Sequence, residues 1–329
     1  MQMAPEPLLQ VDNLKTYFHS NTGILKAVDD VTFSLHRGEI LCVVGESGSG
    51  KSVSALSIMG LVEKPGRHEG GNIYFDGQDL SDLNEPAMRK IRGNKISMIF
   101  QDPMRSLNPG FSIGDQISEI LILHLSMEKS EARQRSIELL DLVGIAEPDR
   151  RYADYPHQFS GGMRQRVMIA MAISCQPDIL IADEPTTALD VTIQAQILNL
   201  LQELCQNLNT SMILITHDIG IVAEIAQNVM VMYAGRAVEY GNVRTILKKG
   251  CHPYTRDLMR SLIRIEDDSS IKLHSIKGSP PNPINLPSGC SYHPRCQQAV
   301  ENCRLSRPNY LYNGGQHKVA CHLAFHDVG

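Results

Sequence analysis

The chain has 329 residues, 42% of them hydrophobic and 20% charged, and carries a net charge of -5. That balance suits a soluble globular protein of one large and one smaller domain, and the acidic surplus argues against a protein built to grip nucleic acid. No stretch approaches roughly 18 consecutive apolar residues, the length of a membrane span, and Met1–Gln10 lacks the charged start and apolar run of a secretory leader.

Leu8 to Tyr17 and Ala27 to Leu35 read as strands, linked through the turn-rich Ser20 to Gly23. Ile40 to Val44 is a short apolar run that ends in Gly45, as a buried strand should. It feeds Gly45-Glu46-Ser47-Gly48-Ser49-Gly50-Lys51-Ser52, the pattern G-x-x-x-x-G-K-S, and Ser54 to Leu61 follows as a helix. Strand, glycine-rich loop and helix in that order make a phosphate cradle. Glycines let backbone N–H groups turn inward around an anion, and the helix adds its positive N-terminal end. Gly45, Ser47, Gly48, Ser49, Gly50, Lys51, Ser52 and Val53 are the candidate phosphate contacts. Lys51 can reach the β- and γ-phosphates and the Ser52 hydroxyl can ligate Mg²⁺.

Gly71 to Gln78 reads as a strand and turn, Lys95 to Gln101 as a strand, and Ile113 to Gly144 as helical. Phe159-Ser160-Gly161-Gly162-Met163-Arg164-Gln165-Arg166 precedes the apolar helical run Val167 to Ile173. Ser-Gly-Gly at a helix start can bind phosphate, and by itself can equally be a helix cap with a flexible entry. Ile179 to Ala182 is a buried parallel strand that ends in Asp183 and Glu184. An Asp at that strand end is where the Mg²⁺ of a P-loop site is held, and the next carboxylate is placed to orient or deprotonate an attacking water. Val191 to Asn207 is helical, and Ser211 to His217 and Val229 to Ala234 are further strands. Strands alternating with helices after the loop imply an α/β fold with a largely parallel sheet.

Taken together these motifs resemble the ATP-binding cassette (ABC) ATPases. Ser160-Gly161-Gly162 matches the family's signature motif, Gln101 the Q-loop, Ala188-Leu189-Asp190 the D-loop and His217 the switch histidine. Phe18, with Tyr17 as alternative, stands where the family stacks an aromatic ring on adenine. The resemblance implies a RecA-like parallel core, an antiparallel β subdomain and a helical subdomain at about 103–165. It also implies a mechanism in which two such domains pair head to tail around two ATP molecules. Ser160, Gly161 and Gly162 would then serve the partner's nucleotide, and Asp190 is a further nucleotide-binding candidate. Glu184, His217 and Gln101 would be catalytic, and Ser52, Gln101 and Asp183 would hold Mg²⁺. Where the family signature opens with Leu and carries Gln after the glycines, this chain has Phe159 and Met163, a variant that looks like the peptide importer branch.

The composition changes after Gly250, and a boundary is expected there, with 1–250 as the nucleotide-binding domain and 251–329 as an appended module. Ile265 to Ser270 is polar. Pro280, Pro281, Pro283 and Pro287 make the following stretch extended rather than helical. His252-Pro253-Tyr254-Thr255, leading into a helix from Arg256 to Ile263, resembles the oligopeptide and dipeptide importer ATPases, as does the proline-rich stretch followed by cysteines. Some nickel and glutathione importers share the layout. Eight cysteines in a reducing compartment are not expected to form a disulfide framework. Four of them, Cys290, Cys296, Cys303 and Cys321, are spaced C-x5-C, C-x6-C and C-x17-C, unlike the tight pairs of zinc sites. Four such thiolates suit a [4Fe–4S] cluster, and the resemblance implies one. Zinc and four unligated thiols are the alternatives; His293 and His322 could substitute as ligands, but the favoured reading makes them bystanders.

The function these readings point to is ATP hydrolysis that powers peptide uptake. The expected partners are two transmembrane permease subunits, a second ABC ATPase (a related subunit rather than a second copy) and a periplasmic or lipid-anchored substrate-binding protein. The chain would sit peripherally on the cytoplasmic face of a bacterial inner membrane. A nickel or glutathione importer ATPase is the near alternative. A soluble, non-transport ABC protein is the distant one, since the chain has one cassette and no long heptad array.

Overall fold

The computed structural model describes residues 6–102, 106–187, 189–261, 276–312 and 317–325. They fall into two compact units, one built from His36–Glu39 and Asp82–Ile215, the other from Glu6–Leu35, Ile40–Ser81 and the chain from Thr216 onward. Ala188, Ile263 and the polar run from Ile265 to Ser270, all named above, lie outside the described residues.

The second unit contains two sheets. In the four-stranded antiparallel sheet, Leu9–Ser20 lies between Gly23–Leu35 and Gly66–Phe75, and Gln78–Asp79 forms the outer edge. Leu9 and Val11 face the core, then Leu14 and Thr16 do. The two-residue period slips by one because the pairing shifts register between Val11 and Leu14, with Asn13 in the left-handed region (φ 51°). A bulge of this kind turns the later half of the strand onto the same face.

The other sheet carries the loop strand. Ile40–Val44 is buried throughout and runs parallel to Asn228–Tyr233. A parallel strand covered on both faces reads as a continuous apolar run, which is why it was legible. Asn228–Tyr233 turns back antiparallel into Arg236–Asn242, a strand the sequence reading did not include. Ala234 and Gly235 both take positive φ, 48° and 82°, and make a two-residue hairpin turn. The buried Glu239 in mid-strand interrupts the apolar pattern. Lys318–Val319 pairs with Glu239 and Tyr240, and Leu311–Tyr312 pairs outside it. The chain's late segment therefore covers an edge that would otherwise invite strand addition.

The first unit has a parallel array, Ile96–Ile99, Ile179–Asp183 and Ser211–Ile215, and most of the helices. The region read as helical from Ile113 to Gly144 is two helices, Ile113–Leu125 and Lys129–Leu142. Ser126, at φ 54°, ends the first. Ile113, Ile117 and Leu121 repeat every four residues along its buried face. Ser118 Oγ lies 2.9 Å from both Ser136 Oγ and Tyr152 Oη, so the hydroxyls buried between the helices are satisfied. No helix among the described residues is long and apolar enough to cross a membrane.

The late helix runs Pro253–Arg260, and His252 is its cap: Nδ1 accepts the Tyr254 N–H at 3.0 Å. Burial, opposed by the nearby Glu239 carboxylate, pushes this imidazole down to about 4. An unfolded histidine titrates near ~6.5. The unfolded chain therefore binds the extra proton first as pH falls, and the native state loses about 3 kcal/mol between pH 6.5 and 4. Thermal melting across that window is expected to show a steep fall. His252→Asn, which can still cap the helix, is expected to flatten it; an unchanged profile would mean the imidazole is not the titrating group. Asp29 acts lower on the scale. Burial raises its carboxyl, but the Tyr17 hydroxyl, Arg236 and Arg307 outweigh that and hold it at about 2.

Candidate nucleotide site

The Gly45–Ser52 loop has the backbone that its glycines allow. Gly45, Gly48 and Gly50 all have positive φ, at 155°, 75° and 103°. A Cβ on Gly50 would run into the Ala27 carbonyl oxygen, and one on Gly45 into the Met232 carbonyl oxygen. Gly50 caps the helix Lys51–Ile58, which therefore starts three residues before the expected Ser54. Lys51 is buried, and its ammonium donates to the Gly45 and Glu46 carbonyls at 2.8 and 3.1 Å. Ser49 Oγ is buried and meets no hydrogen-bond partner among the described residues. A buried hydroxyl in that condition is costly unless something supplies a partner. Beside an ammonium and a helix N-terminus, that something is an anion. The donor set fits a phosphate chain.

Glu46, at an unspecified position of the motif, is held on three sides. Its carboxylate accepts two hydrogen bonds from Arg295, at 2.6 and 3.0 Å, its N–H donates to Tyr254 Oη at 2.9 Å, and its carbonyl accepts from Lys51. Sequence reasoning did not single out Arg295 and named Tyr254 only as part of His252-Pro253-Tyr254-Thr255, without linking either to the loop. They stand 249 and 208 positions away, and no spacing rule joins them to the loop.

Asp183 and Glu184 lie in the first unit at the end of Ile179–Asp183. Asp183 is 5% exposed. Glu184 takes a left-handed backbone, φ 46°, a conformation that costs about 1 kcal/mol or more for a residue with a side chain and clusters at functional sites. Its N–H donates to the Ile215 carbonyl. Its Oε2 accepts from Gln101 Nε2 at 2.9 Å and from Thr187 Oγ1 at 3.0 Å. Gln101, expected as the Q-loop residue, and Glu184, the candidate base, are thus in direct contact, and Thr187 is a third member that no motif announced.

Ser160 caps the helix Gly161–Ile173, its Oγ accepting the Met163 N–H at 3.3 Å. Ser160 and Gly161 are exposed while Phe159 is buried beneath them. Gly162 lies so near Ile193 that a Cβ would come within 2.9 Å of Cγ2, and Gly161 stands against Leu189. The signature start is therefore packed on the segment that holds Asp190, the exposed cap residue of Val191–Leu208.

The remaining candidates lie in the second unit. Tyr17 Oη donates to Asp29 Oδ1 at 2.6 Å, within the ion pairs that Asp29 makes with Arg236 and Arg307. Phe18 is half-buried, paired with Leu25 and Gly66. His217 is exposed just beyond Thr216. The late cysteines share one small cavity with Pro253, Tyr292, His293 and His322. His293 Nδ1 sits 3.0 Å from the Cys290 carbonyl and His322 Nδ1 3.1 Å from Asn302 Nδ2. Among the described residues, the group of His, Cys, Asp and Glu side chains with ligand atoms within 4.8 Å of one another is Glu239, Cys251 and His317, and none of the four late cysteines belongs to it.

A family model described as "ABC transporter" matches residues 28–187, and one described as "Oligopeptide/dipeptide transporter, C-terminal region" matches 238–303. The chain is 52% identical to the oligopeptide transport ATP-binding protein AppD of Bacillus subtilis over 96% of each chain. It is 49% identical to the dipeptide transport ATP-binding protein DppD of Escherichia coli over 98% of each. Among solved structures, the ATP-binding cassette MJ0796, a dimer in a post-hydrolysis state bound to ADP and Pi, aligns with TM-score 0.65 and 29% identity, over 72% of this chain and 99% of that one.

These findings correct one expectation. Relatives similar along the whole chain are described by ATP binding and peptide transport, and neither they nor the matched families carry an iron–sulfur description. The [4Fe–4S] assignment of Cys290, Cys296, Cys303 and Cys321 is not supported. Burial pushes the Cys290 thiol up to about 11 and raises Cys296 and Cys321 too. The fold expectation stands: a P-loop ABC ATPase of α/β class. With both family models matched and the similarity running end to end, the chain belongs to the ABC transporter ATP-binding proteins, in the group that carries an oligopeptide/dipeptide transporter C-terminal region.

Proposed function

We propose that this chain is the ATP-hydrolysing subunit that drives uptake of di- or oligopeptides through a membrane importer. The observation that carries the reading is the 49–52% identity to peptide-transport ATP-binding proteins across both the cassette and the late segment. A cassette alone would say only that ATP is used; the late segment narrows the transporter class. The substrate is selected by partners: two permease subunits and a substrate-binding protein. The chain docks at the cytoplasmic face of the membrane. Residues 1–250 act as the nucleotide-binding domain and 251–329 as its appended module.

The residue roles follow from the chemistry each side chain offers. The Gly45–Val53 backbone, Ser47, Ser49 and Lys51 cradle the phosphates, and Phe18 stacks on adenine, Tyr17 being committed to Asp29. Ser52, Asp183 and Gln101 would hold Mg²⁺, which when bound neutralises charge on the β- and γ-phosphates. Glu184 holds the attacking water and accepts its proton. Gln101 and Thr187 fix the carboxylate's orientation, and His217 contacts the γ-phosphate. Ser160, Gly161, Gly162 and Asp190 face a second cassette and complete the partner's site. The dimeric state of the MJ0796 cassette is a precedent for that pairing.

The test is to tag the chain, solubilise membranes gently in detergent and identify what co-purifies. Two multi-span permeases with a second ABC subunit are expected, and loss of the chain should abolish uptake of labelled di- and tripeptides. Uptake of peptides unaffected but of nickel or glutathione lost would move the substrate to those classes. Recovery only from the soluble fraction, with ribosomal proteins, would overturn the transport reading.

A further inference from the structure

The histidine-proline-tyrosine-threonine segment and the cysteine-bearing segment both reach the P-loop, and they reach the same residue. Tyr254, on the helix Pro253–Arg260, is fully buried and accepts the Glu46 N–H at 2.9 Å. Arg295, between Cys290 and Cys296 in the chain, has a side chain 5% exposed and grips the Glu46 carboxylate with two nitrogens, at 2.6 and 3.0 Å. Such a fork is the strong form of a charge-assisted pair. It is not a chance surface contact, because the guanidinium has been taken out of water to make it.

Arg295 is itself placed by packing. Tyr233, Tyr254 and Tyr292 form a buried cluster with ring centroids 4.6 to 5.3 Å apart. The guanidinium carbon lies 5.8 and 5.9 Å from the Tyr233 and Tyr292 rings, and Tyr233 Oη accepts from Arg295 at 3.3 Å. Tyr292 is pinned in turn by its hydroxyl, which donates to Asp257 at 2.6 Å. The backbone turn that carries Arg295 is closed by bonds from His293 to Cys290, from Arg295 to Tyr292 and from Cys290 to Cys303.

The consequence falls on the loop. The Glu46 carbonyl is one of the two that hold Lys51, so Glu46 is tied at its side chain, its N–H and its C=O. An eight-residue glycine-rich loop has many conformations to lose on binding an anion. Holding its second residue in advance removes part of that cost from the binding step.

We propose that Arg295 and Tyr254 are positioning residues of the nucleotide site: acting through Glu46, they hold the P-loop in its ATP-receiving shape, so that the late segment sets nucleotide affinity. This rests on the reading of Gly45–Ser52 as the phosphate cradle.

The test uses the full chain, with a fluorescent ATP analogue for affinity and ATPase assays of the assembled complex. Arg295→Met is expected to weaken binding roughly tenfold, the scale of a lost charge-assisted pair. KM for ATP should rise with it, and kcat at saturating ATP should stay within about twofold. Tyr254→Phe removes one oxygen and is expected to weaken binding by about threefold. Glu46→Gln combined with Arg295→Met is expected to lose no more than Arg295→Met alone, because both act through one contact. Arg295→Lys should restore part of the affinity. Wild-type affinity in Tyr254→Phe and Arg295→Met would overturn the proposal. So would losses in the Glu46 and Arg295 variants that simply add. Should Arg295→Met fail to fold, Tyr254→Phe decides alone. Lys51→Ala separates the two readings: wild-type ATP binding there would overturn the cradle assignment and with it the clamp, whereas lost binding there beside wild-type affinity in Tyr254→Phe and Arg295→Met would overturn the clamp alone.

Discussion

Replacing Glu184 with Gln is expected to lower ATP turnover by the assembled transporter about 10³-fold while leaving ATP binding within about twofold of wild type. The substitution keeps the size and shape of the side chain. Its amide oxygen can still accept from Gln101 Nε2 and Thr187 Oγ1, the two bonds that hold Oε2 now. What it loses is the negative charge that draws the water's proton. Lys51 and the proposed phosphate loop Gly45–Ser52 are untouched, so affinity is expected to be spared. The backbone points the same way. A glutamate held at φ 46° pays for a conformation that asparagine or glycine would adopt more easily, as strained residues at functional sites do. Single-turnover and steady-state assays, with nucleotide binding measured in parallel, check this. Turnover above about a tenth of wild type would show that Glu184 is not the base.

The candidate site was legible where its chemistry is local. A phosphate loop needs glycines at fixed offsets and a lysine at its end, so Gly45 to Ser52 announces itself, and Asp183-Glu184 is marked by the apolar run before it. The covered strands Ile40–Val44, Ile179–Asp183 and Ser211–Ile215 read as short apolar runs for the same reason that they are buried on both faces. The strand Arg236–Asn242 did not, because an Ala-Gly turn is a weak hairpin signal and Glu239 breaks the pattern. The break at Ser126 was hidden by a polar residue in a helical context, where nothing in composition marks a left-handed backbone. Contacts over long sequence separations were beyond reach altogether. That Arg295 meets Glu46 depends on three tyrosines from three separate segments packing together, and no spacing encodes it. The cysteine group shows the opposite hazard. Four cysteines near one another in sequence suggested a metal cluster, yet relatives similar along the whole chain are described by ATP binding and peptide transport alone.

Replacing Ser160 with Arg is expected to abolish hydrolysis, by about 10²-fold or more, while ATP binding to the isolated chain stays within about twofold of wild type. The reason is geometric. Ser160 is exposed at the start of Gly161–Ile173, and its side-chain hydroxyl accepts from the Met163 N–H. Losing a cap of that kind costs about 1 kcal/mol, too little to unfold the domain. Gly161 and Gly162 press against Leu189 and Ile193, so the helix start and the exposed Asp190 form one outward face with little freedom to yield. An arginine there would stand in the space where a second cassette brings its γ-phosphate, and its bulk would keep the two from closing. If the signature instead served its own chain's nucleotide, affinity and turnover would fall together in the isolated chain. The decisive arrangement pairs a Ser160→Arg chain with an unaltered partner ATPase. Trapping of nucleotide at the partner's P-loop should be lost, while this chain's own P-loop still occludes ATP. The reverse pattern would place the signature in cis and end the head-to-tail reading.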